Sequence, residues 1–407
     1  MAKQIDPKNV VGRDDLITQI WRQLQKPPEQ GSLRFTAERR IGKTTVMTKM
    51  AAEPMDGFDV LFLEVEGIES PDRFTGLLLN RAKPLLPGHE KAKSSFDDFW
   101  VAIGGTELGG IIKLPEKSKL GWQATLEKTI EGLCQHRPDN IVLLMFDELP
   151  YMLQKIAATT KADGDQHEAL TILDTLRSLR QRHVNLRMIF ASSVGLHHVL
   201  RGLKQTSLAS EPVNNMPLIE IHPLEVEHAL RLANHLLAAE QLTFTGDDQD
   251  LIPERLMLLA DRVPFYMERI AGELGLLGRP ISLQDVNSTV QRQLTSDRDP
   301  WEMDHFRDRI DIYYHGSVPD ANGQSISKAQ VARHALDHFA VTDEPQTIDQ
   351  VWGVIRSQLP LADRQVIVQL LKSLGQDHYL TCDTEKRYSF RFPLIQQWWK
   401  MAQGLGS

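Results

Sequence analysis

The period of apolar and polar positions changes along the chain, and the changes divide it. Up to about residue 223, short apolar runs of strand length alternate with longer amphipathic stretches, the pattern of a parallel sheet covered by helices. Leu33–Ala37 (LRFTA), Asp59–Glu66 (DVLFLEVE), Asn140–Phe146 (NIVLLMF), Leu186–Ala191 (LRMIFA) and Leu218–Ile221 (LIEI) read as five strands. NIVLLMF is almost wholly apolar, as a central strand buried on both faces requires. Leu16–Gln25, Lys43–Ala52, Gln123–Leu133 and His167–Arg182 read as helices between them. Two intervals break the alternation. Residues 84–121, rich in Pro, Gly and Lys, read as an insertion with a hairpin around Gly104–Gly110, and residues 158–166 (ATTKADGDQ) read as a mobile loop.

Beyond Pro223 the period becomes purely helical, over Glu225–Glu240, Leu251–Asp261, Pro264–Leu277 and Leu283–Leu294. A polar stretch, Gly316–Gln324, then precedes a last unit. That unit has helices near Ser327–Phe339, Thr347–Ser357 and Leu361–Leu374, a hairpin from Tyr379–Cys382 and Tyr388–Phe392, and a final helix carrying Trp398 and Trp399. Three helices followed by a hairpin is the order of a winged helix. The paired tryptophans read as core packing rather than a stacking platform for bases.

One motif changes the picture. Ala37-Glu38-Arg39-Arg40-Ile41-Gly42-Lys43-Thr44-Thr45 fits A/G-x-x-x-x-G-K-[ST] and sits between a predicted strand and a predicted helix, the context the motif requires. Backbone N–H groups from Arg39 to Thr45 would wrap phosphates at the helix N-terminus. Lys43 would reach the β- and γ-phosphates of ATP, and Thr44 would bind Mg2+. Ala37 stands where glycine is usual; a left-handed backbone there would cost alanine roughly 1 kcal/mol.

Asp147 and Glu148 directly follow the most apolar strand. An acidic pair at the carboxyl end of a central strand lies where ligands collect in open parallel sheets. Asp147 is expected on magnesium and Glu148 as the base that activates the attacking water. Ser192 and Ser193, ending the next strand, are expected to offer a polar group to that water or to the γ-phosphate.

Composition adds limits. The chain is 41% hydrophobic and 25% charged, with a net charge of −8 and a mean hydropathy of −0.30. That acidity lowers the expectation of nucleic-acid binding by the surface as a whole. The N-terminal stretch lacks the apolar run of a signal peptide and no segment is long enough to span a membrane, so a cytoplasmic protein is expected. Cys134 and Cys382 are isolated and read as two reduced thiols. The histidines show no metal-ligand spacing.

The segments VVGRDD (10–15), ERRIGKTT (38–45), FDELPYML (146–153), ASSVGLHHVL (191–200), RVPFYMERI (262–270) and YSFRFPLIQQWW (388–399) together resemble an AAA+-related P-loop ATPase. The nearest class is STAND (signal-transduction ATPases with numerous domains), in its prokaryotic branch near the origin-recognition initiators. The resemblance implies an α/β P-loop NTPase core with a parallel sheet over residues 1–223, a helical lid over 224–315 and a winged-helix domain over 325–407. It further implies that Val11, Gly12 and Arg13 pack near adenine, that Ser192 is the first sensor, and that Pro264 belongs to the lid motif. Ala37 and Ala191 replace glycines common in the family, and Asp261-Arg262-Val263-Pro264 lacks the lid motif's usual glycine. Arg201 is the candidate for an arginine finger reaching a neighbouring subunit, and Arg262 for a lid arginine.

The expected function is a slow ATPase that works as a conformational switch, coupling nucleotide state to homo-oligomerisation or to a protein partner. The alternative is an ATP-controlled DNA-binding initiator or transposition-type regulator acting through the winged helix. Lys386, Arg387 and Arg391 on the hairpin are its candidate contacts, but basic and acidic residues nearly balance over 325–407.

Overall fold

The computed structural model describes residues 9–86, 106–108, 111–113, 121–163, 168–193, 196, 198–199 and 212–405. It divides into two compact units, residues 1–221 and 222–407.

The first unit begins with α1 (Asp14–Leu24), β1 (Leu33–Thr36), α2 (Lys43–Ala52), β2 (Phe58–Glu64) and α3 (Pro71–Ala82). The strands β3 (Thr106–Leu108) and β4 (Ile111–Lys113) form an antiparallel hairpin, where the sequence calls for one. Then follow α4 (Gly121–His136), β5 (Ile141–Asp147), α5 (Leu149–Asp163), α6 (Glu168–Arg182), β6 (Leu186–Ser192) and β7 (Leu218–Glu220). The other residues of the expected 84–121 insertion lie largely outside the described ones.

Five strands form one sheet in the order β2-β5-β6-β1-β7, with every neighbouring pair parallel. This is an α/β fold of the P-loop NTPase kind. The strands read from apolar runs are those found, and β6 is buried along its whole length, as both-face burial demands. Phe146 of β5 packs its ring 5.7 Å from Phe74 and 5.9 Å from Phe190, joining α3, β5 and β6 in one core. Register sets Glu64 opposite Asp147 and Thr36 opposite Ser192, which lines up the carboxyl ends of four strands.

The loop expected at residues 158–166 is corrected in part: α5 continues through Asp163. Ala157, Ala158 and Ala162 are strong helix formers, and the polar residues between them disguise the last turns as a loop. Residues 164–167 lie outside the described ones.

The second unit opens with α7 (Val226–Ala239), α8 (Ile252–Leu259), α9 (Pro264–Gly275), α10 (Leu283–Leu294) and α11 (Asp304–Tyr313). A two-stranded hairpin, β8 (Ser317–Pro319) and β9 (Ser325–Ser327), spans the stretch read as a polar separator. Next come α12 (Lys328–Ala340), β10 (Gln346–Thr347), α13 (Ile348–Gln358), α14 (Gln365–Gln376), β11 (Leu380–Cys382), β12 (Arg387–Phe390) and α15 (Pro393–Ala402). The last strands form a small antiparallel sheet in the order β10-β12-β11. Trp398 and Trp399 are both buried, and Trp399 Nε1 donates to Asp337 at 2.8 Å. The buried guanidinium of Arg309 lies over the rings of Phe306 and Tyr379, at 4.9 and 4.8 Å. No helix among the described residues is long and apolar enough to cross a membrane.

Candidate functional site

The loop between β1 and α2 is shaped by two left-handed residues, Arg40 at φ 73° and Gly42 at φ 103°. A methyl group on Gly42 would meet nothing closer than 3.8 Å, so the constraint on this position is backbone conformation rather than space. Ala37 is fully buried and does not have a positive φ. The penalty feared from the sequence therefore does not arise here: alanine sits in ordinary backbone, and its methyl fills the core. Ile41 is buried, and its carbonyl accepts from Arg13 Nη2 at 2.7 Å. The Arg13 guanidinium is itself buried, which pushes its pKa down to about 10. Arg13 thus connects the segment before α1 to the loop before α2.

Lys43 opens α2 and is only 6% exposed. Its Nζ lies 2.5 Å from Glu148 Oε1 and 3.8 Å from Asp147 Oδ1. The hydroxyl of Thr44 donates to Asp147 Oδ2 at 2.5 Å. Asp147 is the last residue of β5, and Glu148 turns the chain into α5 with a left-handed φ of 58°. An unfavourable backbone conformation at a non-glycine residue is characteristic of positions held for function. The second oxygen of Glu148, Oε2, accepts the backbone N–H of Ser193 at 3.0 Å.

These groups set one another's charge. Burial alone would lower Lys43, but the carboxylates of Glu148 and Asp147, with a smaller contribution from Glu38, hold it above its ordinary value. Burial raises Asp147, and Lys43 only partly opposes this. Burial also raises Glu148, but Lys43 and the hydrogen bonds from Ser193 outweigh it and keep Glu148 below the usual carboxylate range. The cluster therefore presents a cation and an ionised glutamate together in a low-dielectric site.

The donor set suits a nucleotide phosphate with a hard divalent cation. Asp147 Oδ1 is buried and accepts no hydrogen bond, and its other oxygen is on the Thr44 hydroxyl. A carboxylate oxygen and a hydroxyl are the kind of hard oxygen ligand magnesium takes, so Asp147 and Thr44 would be able to hold it. Among the described residues no group of three or more His, Cys, Asp or Glu side chains is placed to hold a metal by itself.

The structure brings Lys43, Thr44, Asp147 and Glu148 together. Val11 and Gly12 precede α1, with Gly12 at φ 69°, and Arg13 bonds the loop as above. Arg39 donates its N–H to the buried Glu38 at 2.7 Å, and Thr45 lies in the first turn of α2. Ser192 ends β6, and its carbonyl accepts the Ala37 N–H at 3.4 Å. Ser193, the next residue, holds Glu148 through its backbone N–H; the sequence singled out the Ser192–Ser193 pair as polar groups for the water or γ-phosphate, but gave neither this backbone contact nor a role for Glu38. Arg262 and Pro264 belong to the second unit, where Arg262 is left-handed at φ 60° and Pro264 starts α9. Arg201 lies outside the described residues.

No family model matches the sequence, nor does any curated protein. Solved structures do match. A Walker-type ATPase of Pyrococcus abyssi superposes with a TM-score of 0.62 over 97% of each chain, at 12% identity. The ORC2 protein of Aeropyrum pernix in its ADP form gives 0.45 at 12% identity, covering 99% of this chain and 96% of that one. The RuvB Holliday junction branch migration motor of Thermotoga maritima gives 0.35 at 11% identity, covering 93% and 92%. At such identities the likeness, carried by the first of the three, is one of fold.

Proposed function

We propose that the chain binds ATP with magnesium at the loop before α2 and hydrolyses it slowly, as a conformational switch. The observation that carries this reading is the convergence of Lys43, Thr44, Asp147 and Glu148, with Glu148 2.5 Å from the lysine and its other oxygen on the Ser193 N–H. In this reading Lys43 holds the β- and γ-phosphates, and the N–H groups of residues 39–45 line the rest of the polyphosphate. Thr44 and Asp147 hold magnesium, which when bound neutralises charge on the phosphate oxygens. Val11, Gly12 and Arg13 form the adenine side.

Glu148 and a phosphate oxygen compete for one ammonium. When Lys43 turns to phosphate, Glu148 keeps the Ser193 bond on one oxygen and gains the other for a water molecule. Glu148 then takes a proton as the water oxygen bonds to the γ-phosphorus. The bond from that phosphorus to the bridging oxygen breaks, leaving ADP and inorganic phosphate. While paired with Lys43, Glu148 is held below the usual carboxylate range; when Lys43 turns to phosphate that lowering is lost, and burial then favours uptake of the proton.

We take Pro264, which the resemblance matches to the lid motif, and Arg262, a candidate by its position, as nucleotide-responsive residues of the second unit. The order α12, β10, α13, α14, β11, β12 supports reading residues 325–407 as a winged helix. We assign it a docking role toward a protein partner or a second copy of the chain, in the cytoplasm. The DNA-binding alternative has less support. Arg387 Nε is held by Asp383 at 2.8 Å and its Nη2 lies 3.4 Å from Glu385, so one of the three hairpin cations is already compensated.

The test compares phosphate release by the wild type, Lys43→Ala and Glu148→Gln, with and without DNA. Wild-type turnover no faster than that of Lys43→Ala in every condition overturns the hydrolytic reading.

A further inference from the structure

The turn between α8 and α9 contains the altered lid motif, Asp261-Arg262-Val263-Pro264. Asp261 and Arg262 are both left-handed, at φ 50° and 60°, and neither is glycine. Two such residues in succession are unfavourable for side-chain-bearing amino acids and persist only where the surroundings hold them. Here the backbone is held from several sides. The N–H of Asp261 bonds the Leu258 carbonyl, that of Arg262 the Met257 carbonyl and that of Val263 the Ala260 carbonyl, while the Arg262 carbonyl accepts from Leu224.

A further bond comes from far along the chain. Asp261 Oδ2 accepts the N–H of Leu394 at 2.8 Å, across 133 residues. Leu394 is the second residue of α15, whose own N-cap residue, Phe392, supplies no side-chain cap, and whose first residue is Pro393 with no N–H to give. The N-terminus of the last helix is therefore capped by a carboxyl oxygen from the turn before α9. That helix packs on α10 and α12 and places Trp398 and Trp399 in the core. Arg262 is the charged neighbour of the carboxyl, and burial still raises Asp261 to about 7.

We infer that Asp261 is a positioning residue that clasps the Arg262–Pro264 turn to α15, so that a shift of the turn is passed directly to the C-terminal helix. The inference rests on reading Arg262 and Pro264 as nucleotide-responsive. No resemblance assigns Asp261 this role.

Hydrogen–deuterium exchange on the full chain tests it, with ADP and magnesium chloride as the probe. In the wild type, exchange at the amides of residues 394–398 is expected to change when ADP binds. In Asp261→Ala the same amides should exchange about fivefold faster without nucleotide, as loss of a helix cap implies, and should no longer respond to ADP. Asp261→Asn keeps an oxygen on Leu394 and is expected to restore both. If Asp261→Ala does not fold, Asp261→Ser, whose hydroxyl falls one bond short of the amide, carries the same expectation. Unaltered exchange in the short-side-chain variant overturns the clasp. A wild type that binds ADP with no change at 394–398 overturns the transmission. A wild type that binds no ADP contradicts the nucleotide reading instead, while the nucleotide-independent comparison still decides the clasp.

Discussion

At the residue scale, the site's chemistry comes from carboxylates gathered around one lysine. A phosphate brought to Lys43 also meets the negative charge of Glu148, so removing that charge should favour phosphate. Glu148→Gln is expected to tighten ADP binding by on the order of 1 kcal/mol, about fivefold, while lowering turnover at least 100-fold, as loss of a general base does. Calorimetry with ADP separates the two effects, and an unchanged ADP affinity would contradict the competition. Ala37→Gly is expected to weaken the fold by roughly 1 kcal/mol in chemical denaturation, because Ala37 is buried in ordinary backbone and does not need glycine's freedom. An improved nucleotide affinity in that variant would contradict the assignment. Asp261 gives a pH signature. With its carboxyl raised from 3.8 to about 7, the folded chain between those values retains a proton that the unfolded chain has released. Its contribution to stability therefore falls as pH rises through that window and is flat above it. Asp261→Asn should melt higher than the wild type near about pH 8, with the gap narrowing toward about pH 5.

At the element scale, most of the fold was legible because burial writes itself into residue type. The apolar runs 140–146 and 186–191 became β5 and β6, and the glycine–lysine–threonine turn became the start of α2. What escaped had physical reasons. Residues Asp304–Tyr313 form α11 although their charges hide the buried Phe306, Ile310 and Tyr313 at helical spacing. A two-residue strand such as β10 is defined only by its partner. The left-handed Glu148 and the Ser193 N–H on its carboxylate are backbone facts that no side-chain pattern signals. The Asp261–Leu394 bond depends on tertiary proximity alone. Helix ends were more readable. Ser282 and Asp285 form a reciprocal capping box at the start of α10, with Ser282 Oγ accepting the Asp285 N–H at 3.3 Å and Asp285 accepting the Ser282 N–H at 2.8 Å. Ser282→Ala should cost about 1 kcal/mol of stability, read as a lower urea midpoint with an unchanged slope.

At the scale of the whole molecule, one unit carries the cluster of Lys43, Thr44, Asp147 and Glu148, and the other the Asp261–Leu394 bond and a near-neutral C-terminal region. That distribution suits a protein whose output is a conformation: binding at one place matters only if it biases an arrangement elsewhere. The central claim is that Lys43 and Glu148 serve ATP hydrolysis, and steady-state phosphate release with magnesium tests it most directly. The account predicts slow turnover by the wild type and a loss on the order of 100-fold or more in both Lys43→Ala and Glu148→Gln, with ADP still bound by Glu148→Gln. Equal rates in the wild type and Lys43→Ala, in a preparation that is folded and supplied with magnesium, would contradict it.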